Sequence, residues 1–259
     1  MLNVKNLSFN YGAKRILSNL SFEIEPESIT ALLGPNGSGK TTLLRCLDLF
    51  LRAQEGQICL DGVPITRLSA NAIARSIAYM PQRCELTGMT VFDSVLLGRK
   101  PYLAWHPEEK DYALVEKTLK RLDLLDKSLQ TLDRLSGGEL QKVVLGRIFV
   151  QEPRLILLDE PMSSLDLKNR VEIMRHLTHF VHRTQAAVLM SIHDLNDAFR
   201  LADRLLFLKN GTLYADQTPQ NTTGGILSDV YDMPLEVVDC KGAKIVIPGS
   251  DSTQGMARQ

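Results

Sequence analysis

The sequence lacks a net charge: its 30 basic and 30 acidic side chains cancel. That argues against bulk electrostatic binding to nucleic acid or anionic lipid, which depends on excess positive charge, though not against a local basic patch. Long hydrophobic runs are missing too. No stretch approaches the ~18 consecutive apolar residues of a membrane-crossing helix. The longest clean run, Leu155 to Leu158, is strand-sized. The opening residues, MLNVKNLSFNYG, do not follow the basic-then-apolar order of a secretory signal. Cysteine is scarce. Cys46, Cys59, Cys84 and Cys240 are scattered with no C-x-x-C spacing, which predicts buried thiols in a reducing compartment rather than a disulfide framework. There is no internal repeat and no low-complexity tract. The expectation is a cytosolic chain that would serve a membrane only from outside the bilayer.

What is present is 259 residues, 44% of them hydrophobic, enough to bury a core in one large domain or one domain with a small appendage. Short apolar runs at 29–33, 57–60, 77–80, 155–158, 187–192 and 204–208 alternate with helical patterns such as 40–50. That interleaving predicts an α/β fold with a largely parallel central sheet. The first 25 residues instead alternate apolar and polar side chains, as a half-exposed antiparallel pair does. Residues 84–135 carry helical patterns, including 108–125, and no strand signal. Residues 235–247 predict a hairpin around Lys241-Gly242, and the final residues predict a frayed tail.

Gly34-Pro35-Asn36-Gly37-Ser38-Gly39-Lys40-Thr41 fits G-x-x-x-x-G-K-[ST] and sits between a predicted strand and a predicted helix. Glycines let successive backbone N–H groups curl into a concavity that holds phosphate oxygens, and the helix start adds positive potential there. Lys40 reaches the β and γ phosphates, and the Thr41 hydroxyl is placed for Mg²⁺. The run at 155–158 delivers Asp159 and Glu160 to its C-terminal edge, where open α/β sheets hold ligands. There one carboxylate serves the metal and its neighbour a water poised to attack. A second glycine-rich helix start, Leu135-Ser136-Gly137-Gly138-Glu139, has the S-x-x-E pattern of a capping box. Two glycines in a first turn cost about 1 kcal/mol each relative to alanine, and they leave backbone N–H groups open to a large anion.

In this order the motifs resemble those of the nucleotide-binding subunit of an ABC transporter, over residues 1 to about 215 at least. Gly34 to Thr41 resemble Walker A, Ile156 to Glu160 Walker B, and Leu135 to Glu139 the family's LSGGE-type segment. The resemblance implies further roles. Tyr11 would stack on adenine. Gln82 would touch Mg²⁺ and the attacking water. Ser163 to Asp166 would act across a dimer interface, and His193 would contact the γ-phosphate. It also implies a P-loop ATPase with a mixed central sheet, an antiparallel β subdomain and a helical subdomain. The core would span 1–225, with the helical subdomain inserted at about 84–150. A C-terminal extension at 226–250 would hold the hairpin, followed by a tail at 251–259.

The implied catalytic set is Glu160, His193, Gln82 and Lys40. The implied nucleotide set is Tyr11, Gly34, Pro35, Asn36, Gly37, Ser38, Gly39, Lys40, Thr41, Thr42, Ser136, Gly137, Gly138, Glu139 and Asp166. Thr41, Gln82 and Asp159 would hold Mg²⁺. ATP would close a dimer of two such subunits, and hydrolysis would reopen it. Transmembrane permease subunits and an extracytoplasmic substrate-binding protein would complete the system on the cytoplasmic membrane face, without nucleic acid.

The segment Leu68 to Gln82, the run Gly98-Arg99-Lys100-Pro101-Tyr102 and the terminal hairpin resemble importers of iron-siderophore, haem, vitamin B12 and related metal chelates. Another transported class, an ATP-switched regulator of nucleic acid or ribosomes, and a cluster-assembly scaffold stay open at this level. Three other features are expected to be structural. His176, His179 and His182 read as a solvated helix face. Glu108 to Asp111 read as a solvated helix start, and Tyr102 and Trp105 as packing or partner contacts. Gly146, where the family usually has alanine, should soften its helix slightly.

Overall fold

The computed structural model describes residues 1–82 and 88–249. Twelve strands and eight helices are described: β1 (Leu2–Tyr11), β2 (Lys14–Ile24), β3 (Ile29–Leu33), α1 (Lys40–Leu47), β4 (Glu55–Leu60), β5 (Val63–Pro64), α2 (Ala70–Ser76), β6 (Ile77–Met80), α3 (Val91–Leu96), α4 (Glu109–Arg121), α5 (Gly137–Gln151), β7 (Leu155–Asp159), α6 (Leu167–Thr184), β8 (Ala187–Ser191), α7 (Leu195–Leu201), β9 (Arg204–Lys209), β10 (Thr212–Gln217), α8 (Gly224–Tyr231), β11 (Leu235–Cys240) and β12 (Ala243–Pro248). None of these helices is long and apolar enough to cross a membrane.

The central sheet has six strands in the order β10-β9-β3-β8-β7-β6. Five run parallel, and β10 pairs antiparallel with β9 at one edge. A second, antiparallel sheet runs β2-β1-β4-β5. The run at 57–60, expected among the interleaved strands, is β4 of this second sheet. It leads into the turn at Asp61-Gly62 and pairs antiparallel with β5 rather than crossing over through a helix.

The central strands read as continuous apolar runs because both faces are covered. Successive side chains point to opposite faces, and the two hydrophobic clusters divide accordingly. Ala31, Leu33, Ile156, Leu158, Val188, Met190, Leu205 and Phe207 face the helices α3 to α8. Leu32, Leu155, Leu157, Ala187, Leu189, Leu206 and Leu208 face α1 and the antiparallel sheet. At about 1.5–3 kcal/mol for each large apolar side chain buried, these two layers supply the main stabilising contribution.

Helices α3, α4 and α5 form the predicted helical block, with a 3-10 helix at Leu97–Tyr102 continuing from α3 and packing against α5. Gly98 is required there, since a Cβ would lie 2.0 Å from the Arg147 carbonyl oxygen. Arg99 is buried, donates to Asp111 at 2.8 Å and to the Val150 carbonyl at 2.8 Å, and lies 4.0 Å from the Tyr102 ring centroid. Removing one partner of such a buried pair costs about 3–5 kcal/mol. The expected solvated start at Glu108 to Asp111 is therefore corrected at Asp111, which is buried against Arg99. Tyr102 packs as expected and donates to the Gln151 carbonyl at 3.0 Å, whereas Trp105 is 96% exposed and packs on nothing. Gly146 does more than soften α5: a Cβ would sit 3.0 Å from Leu122 and 3.1 Å from Val95, so the glycine lets three helices close up.

Two further expectations change. Among the described residues only Cys46 is a buried thiol, its pKa pushed up to about 12 by burial. Cys59 is half-buried, Cys240 is exposed because its two-stranded sheet is open to solvent, and Cys84 lies outside the described residues. On α6, His179 and His182 are exposed. His176 turns inward, where burial lowers its pKa and leaves Nε2 without a partner, because a residue three positions from a neighbour has rotated about 60° round the helix. The terminal hairpin forms over β11 and β12. The preceding helix α8 begins at Gly224, so the expected division after residue 225 falls inside a helix. The tail at 251–259 lies outside the described residues.

Candidate active site

The phosphate loop links β3 to α1. Gly34, Gly37 and Gly39 have φ of 143°, 80° and 105°, values that L side chains rarely adopt. Gly39 is the N-cap of α1 and offers no side-chain cap, so the helix start leaves its orphan N–H groups to a ligand. Pro35 and Asn36 form the outer curve of the loop. Ser38 is buried, yet its hydroxyl has no hydrogen-bond partner. A buried orphan of this kind is costly, and a phosphate oxygen or a metal-bound oxygen satisfies it. Lys40 is buried and folds back to donate to the carbonyls of Gly34 at 2.7 Å and Pro35 at 3.0 Å. Burial lowers its pKa, opposed by the nearby carboxylates of Glu160 and Asp159. Thr41 and Thr42 follow in the first turn, both half-buried.

The carboxylate pair ends β7. Asp159 is buried and accepts from the Ser191 hydroxyl at 2.7 Å, and the same hydroxyl accepts from the Glu160 N–H at 2.9 Å. Glu160 has φ of 53°, a left-handed conformation that costs a residue with a Cβ roughly 1–3 kcal/mol. It turns the side chain off the sheet edge to meet Gln82, whose Nε2 donates to its carboxylate at 2.7 Å, and His193, whose Nε2 contacts the same carboxylate. Two residues 78 and 33 positions away thus converge on the Glu160 carboxylate, because β6, β7 and β8 are adjacent and parallel and all end on this side.

Beyond Glu160 and His193 a cleft of about 210 Å³ opens between the 160–163 and 191–197 segments. Asp166 caps α6, accepting from the Asn169 N–H at 2.8 Å. Arg170, one turn on, reaches the Leu165 carbonyl at 2.9 Å, Asp197 at 3.1 Å and Asp194 at 3.4 Å. It ties the Asp166 segment to the His193 segment.

Two predicted groups stand apart from this cluster. Tyr11, at the end of β1, is 48% exposed and packs edge-on against Phe9 with ring centroids 4.8 Å apart. The Ser136 to Glu139 segment forms its capping box: Ser136 accepts from the Glu139 N–H, and Glu139 accepts from the Ser136 N–H at 2.9 Å. Lys127 pairs with Glu139, and with the Ser136 donors this pulls the carboxyl down to about 2. At Gly138 a Cβ would lie 2.4 Å from the amide end of the Asn169 side chain, so that side chain would have to shift; Gly137 faces open space. Among the described residues no hydrogen bond or ion pair joins this segment to the phosphate loop.

Ser191, Arg170 and Tyr231 are polar residues of this region that the motif pattern does not flag. Ser191 carried a signal, two positions before His193 at the end of an apolar strand. Arg170 and Tyr231 carried none.

Residues 17–163 match the family model described as ABC transporter. This chain belongs to that family. The probable iron chelatin transport ATP-binding protein of Helicobacter pylori is 40% identical over 243 residues, covering 92% of this chain and 95% of its own. A solved chain described as a metal-chelate type ABC transporter in an inward-facing conformation superposes with a TM-score of 0.83 at 28% identity, covering 96% and 97%. An ABC cassette solved as a dimer bound to ADP and phosphate has a TM-score of 0.75 at 25% identity, covering 86% and 100%. The chain is an ABC-type ATPase subunit. Its mixed six-stranded sheet, antiparallel sheet and helical block are those of that fold.

Proposed function

We propose that this subunit hydrolyses ATP to power import of an iron-siderophore, haem, vitamin B12 or similar metal chelate. The observation that carries the ATPase mechanism is the convergence of Gln82 and His193 on the Glu160 carboxylate beside the loop of Lys40. The amides of the Gly34–Thr42 loop from Asn36 onward cradle the triphosphate, and Lys40 exchanges its carbonyl partners for phosphate oxygens. Glu160 takes a proton from the attacking water, Gln82 helps orient that water, and His193 contacts the γ-phosphate. Tyr11 is exposed enough to stack on adenine. Thr41, Asp159 and Gln82 would hold Mg²⁺, whose chemistry is neutralisation of the charge on the β and γ phosphates. The orphaned Ser38 hydroxyl and the buried Asp159 suit that setting.

The exposed tip at Ser136 and Gly137, with Gly138 beneath it and the half-buried Glu139 beside it, and the exposed Asp166 are available to a second subunit. In this reading each ATP lies between the phosphate loop of one protomer and the Ser136–Glu139 tip of its partner. Binding closes the dimer and hydrolysis reopens it. The working core runs through β10, with the helical subdomain at about 84–150, and the unit from α8 to β12 extends it. The complex includes transmembrane permease subunits and an extracytoplasmic binding protein, and the subunit sits peripherally on the cytoplasmic membrane face. The similarity to the iron chelatin and metal-chelate proteins supports the cargo class.

Glu160→Gln tests the mechanism. Nucleotide binding is retained, hydrolysis falls at least ~100-fold for loss of a general base, and a nucleotide-bound dimer accumulates in size-exclusion chromatography. Normal turnover by that variant rejects Glu160 as the base. Purification of the intact complex with its membrane partners, followed by assay of transport with a ferric siderophore, haem and cobalamin, tests the cargo.

A further inference from the structure

The segment after β10 lies beyond the matched family region of 17–163, yet it touches the phosphate loop and the helix that follows His193 directly. At the C-terminal end of α8, the Tyr231 hydroxyl accepts a hydrogen bond from the Gly34 N–H at 3.1 Å. Gly34 opens the phosphate loop. It is buried with φ of 143°, and a Cβ there would lie 2.1 Å from the Leu208 carbonyl oxygen of β9. The following carbonyl, that of Gly34 itself, is held by Lys40 at 2.7 Å. One residue is thus gripped at both its N–H and its C=O. When Lys40 leaves to engage phosphate, Tyr231 is the grip that stays. Burial pushes the Tyr231 phenol up to about 12, so it remains a neutral hydroxyl.

The second contact is on the other side of the site. Asn196 lies three residues after His193, in the first turn of α7. Its Nδ2 donates to the Val246 carbonyl at 3.2 Å, and its Oδ1 accepts from the Val246 N–H at 2.8 Å. This two-point pairing makes a side chain of α7, the helix that follows His193, a continuation of the edge of β12. Val246 is itself buried, in the same core cluster as Leu227 and Val230 of α8. The unit is anchored in turn to β9 and β10. Lys209 contacts the Asp229 carbonyl and pairs with Asp232 at 2.7 Å, and the Tyr214 hydroxyl donates to Asp229 at 2.7 Å.

We infer that the α8–β11–β12 unit is a clamp on the nucleotide site, with Tyr231 positioning the phosphate loop and Asn196, through Val246, positioning the His193 segment. Tyr231 and Asn196 are positioning residues: the first acts on nucleotide affinity, the second on the chemical step. The inference rests on the nucleotide reading of the Gly34–Thr42 loop, which the Lys40→Ala variant tests separately.

The experiment is steady-state ATP hydrolysis by the full-length chain, with thermal denaturation of each variant alongside. Tyr231→Phe keeps the ring and removes only the acceptor. It is expected to raise KM for ATP about tenfold, the equivalent of one lost hydrogen bond at ~1.4 kcal/mol per factor of ten, with kcat within twofold. Asn196→Ala is expected to lower kcat about tenfold with KM within twofold. The clamp is overturned if only one variant shows its half of this split. It is also overturned if neither constant moves, or if KM and kcat decline together in step with the fraction of folded protein. Loss of activity in Lys40→Ala with wild-type constants in Tyr231→Phe would remove the clamp while leaving the phosphate loop in place.

Discussion

Two helices of this chain begin on glycine-rich segments, and the chain finishes them in opposite ways. Helix α1 starts at Gly39 with no side-chain cap, no acidic residue in its first turn and a buried hydroxyl, that of Ser38, without a partner. Helix α5 starts at Ser136 with a complete capping box, an acidic residue in its first turn and an ion pair from Lys127 to that residue. In the first case the helix start is left for a ligand. In the second the protein closes most of it itself and presents a preformed, exposed tip. Glycine alone does not distinguish these. Gly37 and Gly39 serve backbone conformation, whereas Gly138 serves the approach of Asn169 from α6. The contrast shows that an anion-ready helix start is recognised by what the chain leaves unsatisfied, not by its composition.

That contrast can be broken most severely at α1. Lys40→Ala removes the single buried cation there and is expected to reduce ATP hydrolysis at least ~100-fold, with weakened nucleotide binding. A titration with a fluorescent nucleotide and a phosphate-release assay read both, and unchanged hydrolysis would refute the phosphate-loop assignment. A smaller effect is expected at α5. Ser136→Ala removes a cap that α1 never had and should cost about 1 kcal/mol of stability, read as a lowered denaturant midpoint. If stability is unaffected, the capping box is not what finishes that helix. The smallest effect is a pH dependence.

Lys127 and the Ser136 donors hold the Glu139 carboxyl at about 2, below its unfolded value near 4.5, so the group stabilises the fold above that unfolded value. The contribution fades as pH falls from about 5 toward 2. The stability difference between wild type and Glu139→Gln should therefore be full at pH 7 and shrink through that window. Given the partial exposure of the pair, it should amount to no more than ~1 kcal/mol. A difference that grows on acidification would reverse the sign of the argument.

How much of this was legible without coordinates depends on whether the signal was local. The phosphate loop, the capping box and the strand ending at Asp159 each announce themselves within ten residues, because glycine conformation, capping and strand burial are local physics. The exception among strands is β4, whose apolar run is indistinguishable from that of a parallel strand; the hairpin with β5 assigned it to the other sheet. In sequence Asp111 is one more charge in a solvated run; in the fold it pairs with the buried Arg99. Tyr231 and Arg170 had no readable signal at all, since each works through a partner more than 20 residues away.

The amino-acid order alone determined the identity of the nucleotide motifs, the alternation of strand and helix, and the points where helices begin, because these follow from side-chain pattern and backbone freedom over a few residues. Only the tertiary structure decided which motifs meet. Parallel pairing of β6, β7 and β8 brings Gln82 and His193 to the Glu160 carboxylate, and the return of the C-terminal unit to Gly34 and Asn196 closes the site from behind. Those encounters depend on the order of strands in a sheet, a long-range choice settled by burial of two apolar faces at once.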